Sequence, residues 1–110
     1  EYPALFPNTL LGLQADHLFV MVVIPLAYNR TLEETRLYCV GDQSLSSRFT
    51  QLRKAQHTFW REVFAEDIDV VMGMQAGRAS PGFDGGALTP VMDRATAAFH
   101  RWVGERLGSR

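Results

Sequence analysis

The hydrophobic pattern of this chain changes its period once, at the polar segment 41–44, Gly-Asp-Gln-Ser. Before that segment, short runs of β-branched and aromatic residues are separated by turns, which is typical of strands. After it, apolar residues recur at steps of three and four, as they do on one face of a helix. Strands followed by helices predict an α+β fold, in which the strands form an antiparallel meander.

The pattern predicts three strands and two helices. The strands are expected at residues 6–14, 18–24 and 31–40, with Pro25 ending the second strand and Asp16-His17 forming a turn. Hydroxyl groups at residues 44–47 predict the N-cap of a long helix that ends near Gly77. A turn-rich loop at residues 80–86 separates this helix from a second one at residues 96–107.

Charge and cysteine content exclude several classes of protein. The 11 basic and 12 acidic residues leave a net charge of −1, so no basic surface for nucleic acid or an anionic membrane is expected. Cys39 is the single cysteine, so the chain cannot form an internal disulfide or hold an iron–sulfur cluster by itself. The longest apolar run, residues 18–26, is far shorter than the ~20 residues that span a bilayer. We expect a cytoplasmic globular domain or a piece of one.

One acidic residue falls on the apolar face of the long helix. With Trp60 placed at zero and about 100° per residue, Asp67 lies at about −20°. An unpaired carboxylate within an apolar face loses several kcal/mol of hydration, so this position predicts a compensating group. That group is a metal ion, a basic side chain such as Arg53 or Arg78, or a proton that leaves the acid neutral. The alternative is that this face of the helix is less buried than the pattern indicates. The apolar neighbours within about 80° of Trp60 are Val63, Phe64, Val70, Val71 and Met74.

The histidines do not complete a metal site with Asp67 in this chain. His57 precedes Asp67 by ten residues on the same helix, which separates them by ~15 Å along its axis. His17 falls in a predicted turn, and His100 lies beside aromatic residues of the last helix, where a packing role is expected. The periodicity alone therefore leaves the partner of Asp67 open.

Several short segments occur in a characteristic order. They are Phe6-Pro7-Asn8, residues 22–26 (Val-Val-Ile-Pro-Leu), residues 64–71 with Gln-Ala-Gly at 75–77, residues 80–86, and residues 90–93 with 99–102. Taken together, they resemble the C-terminal part of the catalytic domain of Rieske non-haem iron ring-hydroxylating oxygenases, in the large (alpha) subunit.

This resemblance implies a helix-grip (START-like) fold, in which an antiparallel sheet curves over a long helix. It implies that Asp67 is the carboxylate ligand of a mononuclear Fe(II) that two histidines also hold, a geometry with positions open for O₂. It further implies a [2Fe–2S] Rieske cluster, NAD(P)H acting through a reductase or ferredoxin, an aromatic or similar apolar substrate, and a homotrimer. The side chains implied for the substrate pocket are Val63, Val70, Val71 and Met74.

The chain also departs from the family pattern. The two histidine ligands and the Rieske domain are expected upstream, and Met72 stands where many relatives carry an acid. We therefore expect residues 1–110 to be the C-terminal portion of a catalytic domain, inactive by itself. The alternatives are a non-catalytic helix-grip module, in which Asp67 binds a polar ligand group or an arginine, and a degenerate copy that does not fold alone.

Overall fold

The computed structural model describes residues 1–108, which form two compact units, Glu1–Gly73 and a second that begins at Met74. The first unit contains a four-stranded antiparallel sheet whose strands are neighbours in the order of the sequence. The predicted α+β class and the meander are thus confirmed. The strands are β1 (Ala4–Leu5), β2 (Thr9–Leu13), β3 (His17–Ala27) and β4 (Arg30–Cys39).

Strand β3 is the centre of the sheet and pairs with both β2 and β4. Its alternate residues His17, Phe19 and Met21 are buried on one face, as expected for a half-buried strand. The prediction that His17 lies in a turn is therefore wrong. His17 opens the strand, because its backbone carbonyl accepts the N–H of Gln14 across the hairpin.

Strand β3 also continues past Pro25, where the sequence predicted its end. The backbone N–H of Val23 donates to the carbonyl of Asn8, so the odd-numbered residues of β3 direct their N–H groups toward β2. Two residues further on, Pro25 lies beyond the end of β2, so β2 provides no paired residue for it. The missing N–H of proline therefore costs no ladder hydrogen bond, and β3 can extend to Ala27.

Two short 3₁₀ helices, Asp42–Leu45 and Ser47–Phe49, lead into the long helix α1 (Thr50–Arg78), and a second helix, α2, spans Arg94–Gly108. Helix α1 starts later than predicted, and the hydroxyl groups expected to cap it do not do so, since neither 3₁₀ helix has a side-chain cap. The guanidinium of Arg53 instead binds the carbonyls of Ser44 and Ser46, at 2.5 and 2.9 Å. This contact holds the preceding loop against the first turn of α1.

The hydrophobic core lies between the sheet and the middle of α1. Phe19 and Met21 from β3 and Trp60 from α1 are its buried residues. The rings of Phe19 and Trp60 pack edge to face with centroids 4.6 Å apart, a geometry that aromatic pairs favour. The residues that pack around these three are half-buried: Val23, Leu37, Val63 and Phe64.

Candidate functional site

Helix α1 is covered by the sheet only around its middle. Trp60 is 8% exposed, and Val63 and Phe64 pack against the core beside it. Beyond Phe64 the helix has exposed apolar side chains, although the sequence predicted one continuous buried face. Between half and two thirds of each of these side chains is exposed: Ile68, Val70, Val71, Met72 and Met74.

Asp67 is also exposed. Within residues 1–108 it takes part in no ion pair. The expectation that its apolar neighbours bury it is wrong for this chain, because the strands pack against the previous two turns of α1 and leave its own turn uncovered. Hydration of this carboxylate is retained, so no compensating cation is required by its surroundings.

The two arginines proposed as partners of Asp67 lie elsewhere. The guanidinium of Arg53 is occupied by the carbonyls of the loop before α1 and by the hydroxyl of Thr50. Arg78 follows Asp67 by eleven residues, which corresponds to ~16 Å along the helix axis. The interpretation of Asp67 as half of a structural ion pair with Arg53 is therefore wrong.

The residues predicted for the substrate pocket fall in different environments. Val63 is half-buried and belongs to the edge of the core. Val70 and Val71, which flank the turn that carries Asp67, are 60% and 56% exposed. Met74 is 51% exposed. Their role in substrate binding stays a prediction.

No cluster of three His, Cys, Asp or Glu side chains occurs between residues 1 and 108. His57 and His100 are exposed, and His17 is buried with both ring nitrogens engaged. The residues of this chain that the structure describes therefore do not fit a complete mononuclear iron centre, although Asp67 could supply one ligand.

The sequence pattern missed a polar cluster of four residues, of which His17 and Trp60 are buried, Gln56 is half-buried and Asp16 is exposed. The indole N–H of Trp60 donates to Nε2 of His17 at 2.6 Å, and Nδ1 of His17 lies 2.7 Å from Oδ1 of Asp16. The side-chain amide of Gln56 donates to Oδ2 of Asp16 at 2.9 Å. The hydrogen bond with His17 is the largest of the effects that lower the pKa of Asp16.

Two signals in the sequence could have revealed this cluster. His17, Phe19 and Met21 are alternate residues of β3, and alternate side chains of a strand point to the same face, so His17 lies on the buried face. Gln56 and Trp60 are four residues apart and therefore lie on the same side of α1. The assignment of Asp16-His17 to a turn concealed the first of these signals.

Comparison with known proteins identifies a family. The sequence model of the family described as "Ring hydroxylating alpha subunit (catalytic domain)" matches residues 1–109. Neither a curated protein nor a solved structure matches the chain significantly. In the part of the chain that the structure describes, no helix combines the length and apolar character that a bilayer crossing requires.

Proposed function

The chain belongs to the ring-hydroxylating alpha-subunit family through its catalytic domain, and from this premise we propose that it is part of a Rieske-type oxygenase. Its antiparallel sheet, long helix and C-terminal helix agree with the helix-grip fold of that family. The activity that we propose is the hydroxylation of an aromatic or similar apolar substrate with O₂, in the cytoplasm. The observation that carries this proposal is the family match, which covers residues 1–109.

We assign to Asp67 the role of carboxylate ligand for the mononuclear iron. Its carboxylate is exposed and has no ion-pair partner within residues 1–108, so it is available for coordination. The exposed side chains of Val70 and Val71 on the same part of α1 would make the surroundings of the site apolar. Carboxylate ligands with two histidines form the facial triad of non-haem iron oxygenases.

The remaining parts of the enzyme are assigned to polypeptide outside these 110 residues. The described residues hold no group of three metal-ligating side chains, so we propose that two histidines from elsewhere complete the iron site. The same holds for the Rieske [2Fe–2S] cluster, since the chain contains a single cysteine. Electrons from NAD(P)H would come through a reductase or ferredoxin, and the parent protein would assemble as a trimer.

Iron analysis of the parent protein that contains this chain tests the role of Asp67. We expect Asp67→Ala to remove most of the mononuclear iron and Asp69→Ala to retain it, because a carboxylate two residues further on points to another side of the helix. Both variants remove one exposed acid from α1, so they are matched for charge and helix context. Equal iron content in Asp67→Ala and the unmodified protein would contradict the assignment.

The isolated chain offers a second test. We expect these 110 residues to bind Fe(II) weakly, because a single carboxylate does not hold the ion against water. Equilibrium dialysis with Fe(II) under anaerobic conditions measures this directly. Tight binding of one iron per chain would show that the other ligands lie within these residues and that the proposed ligand set is wrong.

A non-catalytic helix-grip module is the second candidate function. The observation that favours it is the exposed, unpaired carboxylate of Asp67 beside the apolar side chains of Val70 and Val71, which suits a ligand with an apolar body and a cationic group. Such a ligand would raise the unfolding temperature of the chain in the presence of a metal chelator. Loss of this stabilisation in Asp67→Asn would favour the module over the oxygenase.

A further inference from the structure

We propose that the hydrogen-bonded chain Asp16–His17–Trp60 is an acid-sensitive clamp that fastens helix α1 to the sheet. Neither Asp67 nor iron takes part in this clamp, so it does not depend on the function proposed above. The clamp consists of three hydrogen bonds, and the imidazole of His17 that takes part in two of them is buried.

The first hydrogen bond determines the protonation state of the imidazole. An indole N–H can only donate, so the 2.6 Å contact with Trp60 requires Nε2 of His17 to be an unprotonated acceptor. The neutral ring must then carry its proton on Nδ1, which lies 2.7 Å from Oδ1 of Asp16 and donates to it. One tautomer of the neutral imidazole therefore satisfies both contacts at once.

Gln56 holds the other end of this chain. Its amide donates to Oδ2 of Asp16 at 2.9 Å, so both oxygens of the carboxylate accept a hydrogen bond. This amide also lies 3.2 Å from Nδ1 of His17, and it donates to the carboxylate because Nδ1 already carries a proton. Gln56 and Trp60 both belong to α1, so the helix is attached at two points one turn apart.

Protonation of His17 breaks this arrangement. A proton on Nε2 would point at the indole N–H of Trp60, and two donors cannot share a hydrogen bond at that distance. The side chain of His17 is only 11% exposed, so water cannot readily replace the lost partner. Acid therefore converts the central contact of the clamp from attractive to repulsive.

The charged and titratable groups around His17 affect how readily its imidazole takes up a proton. Asp16 favours the imidazolium, but its side chain is 60% exposed and solvent screens that attraction. Arg53 of α1 is the cation that lines the cavity beside Asp16 and Gln56, and its guanidinium binds the carbonyls of Ser44 and Ser46. From β4, the residue opposite His17 is Cys39, which lines that cavity as well. The loss of the hydrogen bond to Trp60 outweighs the attraction of the imidazolium to Asp16, because the contact with Trp60 is buried.

The clamp joins distant parts of the chain. His17 and Trp60 are separated by 43 residues in the sequence. Among the described side chains, the hydrogen bonds that we find between the sheet region and α1 all end on Asp16 or His17. Trp60 is also one of the three buried apolar residues, so its release opens the core. We therefore expect acidification to loosen α1 from the sheet before the strands separate.

The test compares the pH dependence of stability in the full 110-residue chain and in His17→Gln. The oxygen of the glutamine amide can accept from the indole of Trp60 but does not titrate between about pH 8 and pH 5, where histidines do. We expect the unfolding equilibrium constant of the unmodified chain to rise more steeply on acidification than that of His17→Gln, because only the imidazole can lose its acceptor atom to a proton. His57→Gln, which removes an exposed histidine of the same helix, should behave like the unmodified chain.

NMR of the unmodified chain keeps the proposal testable if His17→Gln does not fold. At about pH 8 the imidazole nitrogen shifts should show His17 with its proton on Nδ1, and the indole N–H of Trp60 should lose its hydrogen-bonded shift on acidification. The same pH dependence in His17→Gln and the unmodified chain would overturn the proposal. A proton on Nε2 of the neutral ring at about pH 8 would overturn it as well.

Discussion

Replacement of Gly12 by alanine would place a methyl group against the buried ring of Phe19. Gly12 lies in β2 and is the register partner of Phe19 in β3. A Cβ atom at this glycine would lie 2.6 Å from Cδ1 of Phe19 and closer still to Cε1 and Cζ. Its φ angle is not positive, so alanine is compatible with the backbone and the cost comes from the clash.

The ring of Phe19 has little room to move away. Its centroid is 4.6 Å from that of Trp60 and 5.2 Å from that of Phe64, and Tyr2 packs at 6.3 Å. Inserting a methyl group into a packed core usually costs about 1–3 kcal/mol. Disturbing two aromatic contacts, each contributing about 0.5–1.5 kcal/mol, adds to this. We expect Gly12→Ala to lower the free energy of unfolding by about 2–6 kcal/mol.

Thermal and urea unfolding of the 110-residue chain, followed by circular dichroism, measures this change. At about 4–8 °C per kcal/mol, the expected fall in Tm is roughly 10 °C or more. Gly73→Ala is the matched control, because nothing lies within 4 Å of that position and the helix should gain about 0.5–1 kcal/mol. Adding Phe19→Leu to Gly12→Ala should cost less than the sum of the two single changes. A Gly12→Ala chain within about 0.5 kcal/mol of the unmodified stability would refute the close packing of Phe19 against Gly12, Trp60 and Phe64.

Three further predictions concern the polar cluster around His17 and the edge of the sheet. Trp60→Phe removes the donor to His17, which leaves the buried imidazole nitrogen without a partner. We expect urea unfolding to show a free energy of unfolding that is lower by about 1–3 kcal/mol. The hydrogen bond from His17 lowers the pKa of Asp16 below its usual value of 3.8, so the stability that Asp16 contributes is present above that pH and is lost as the pH falls through the lower folded value. Asp16→Asn should therefore flatten the stability profile below about pH 4, and an unchanged profile would contradict this linkage. Strand β4 is an edge of the sheet, and its odd-numbered residues direct their backbone groups away from β3, since the even-numbered Val40 donates to Asp16. Thr35→Pro should therefore slow aggregation measured by light scattering without breaking the β3–β4 ladder. Equal aggregation rates would show that chains do not aggregate through this edge.

The backbone conformation of this chain could be predicted well because it depends on local patterns. Alternation in residues 18–24 and 31–40 reflects the period of a strand, and steps of three and four after residue 50 reflect that of a helix. The errors occurred where a neighbouring strand decided the outcome. Pro25 did not end β3, because β2 does not reach that point and no ladder hydrogen bond was at stake.

The resemblance in sequence identified the family correctly, and the match over residues 1–109 confirms it. The assignment of Asp67 as an iron ligand stays a prediction that rests on this resemblance. The helical periodicity placed Asp67 on an apolar face but could not show whether that face is covered. In the structure the covering strands reach Phe64 and leave the next turn in solvent.

The sequence by itself determined the order of strands and helices, the family, and the side of α1 on which Trp60 and Asp67 both lie. Only the tertiary structure decided that Trp60 is buried while Asp67 is exposed, and that His17 accepts a hydrogen bond from an indole 43 residues away. The physical reason is that backbone periodicity arises from near neighbours, whereas burial and hydrogen-bond partners depend on which distant segment packs against a given turn.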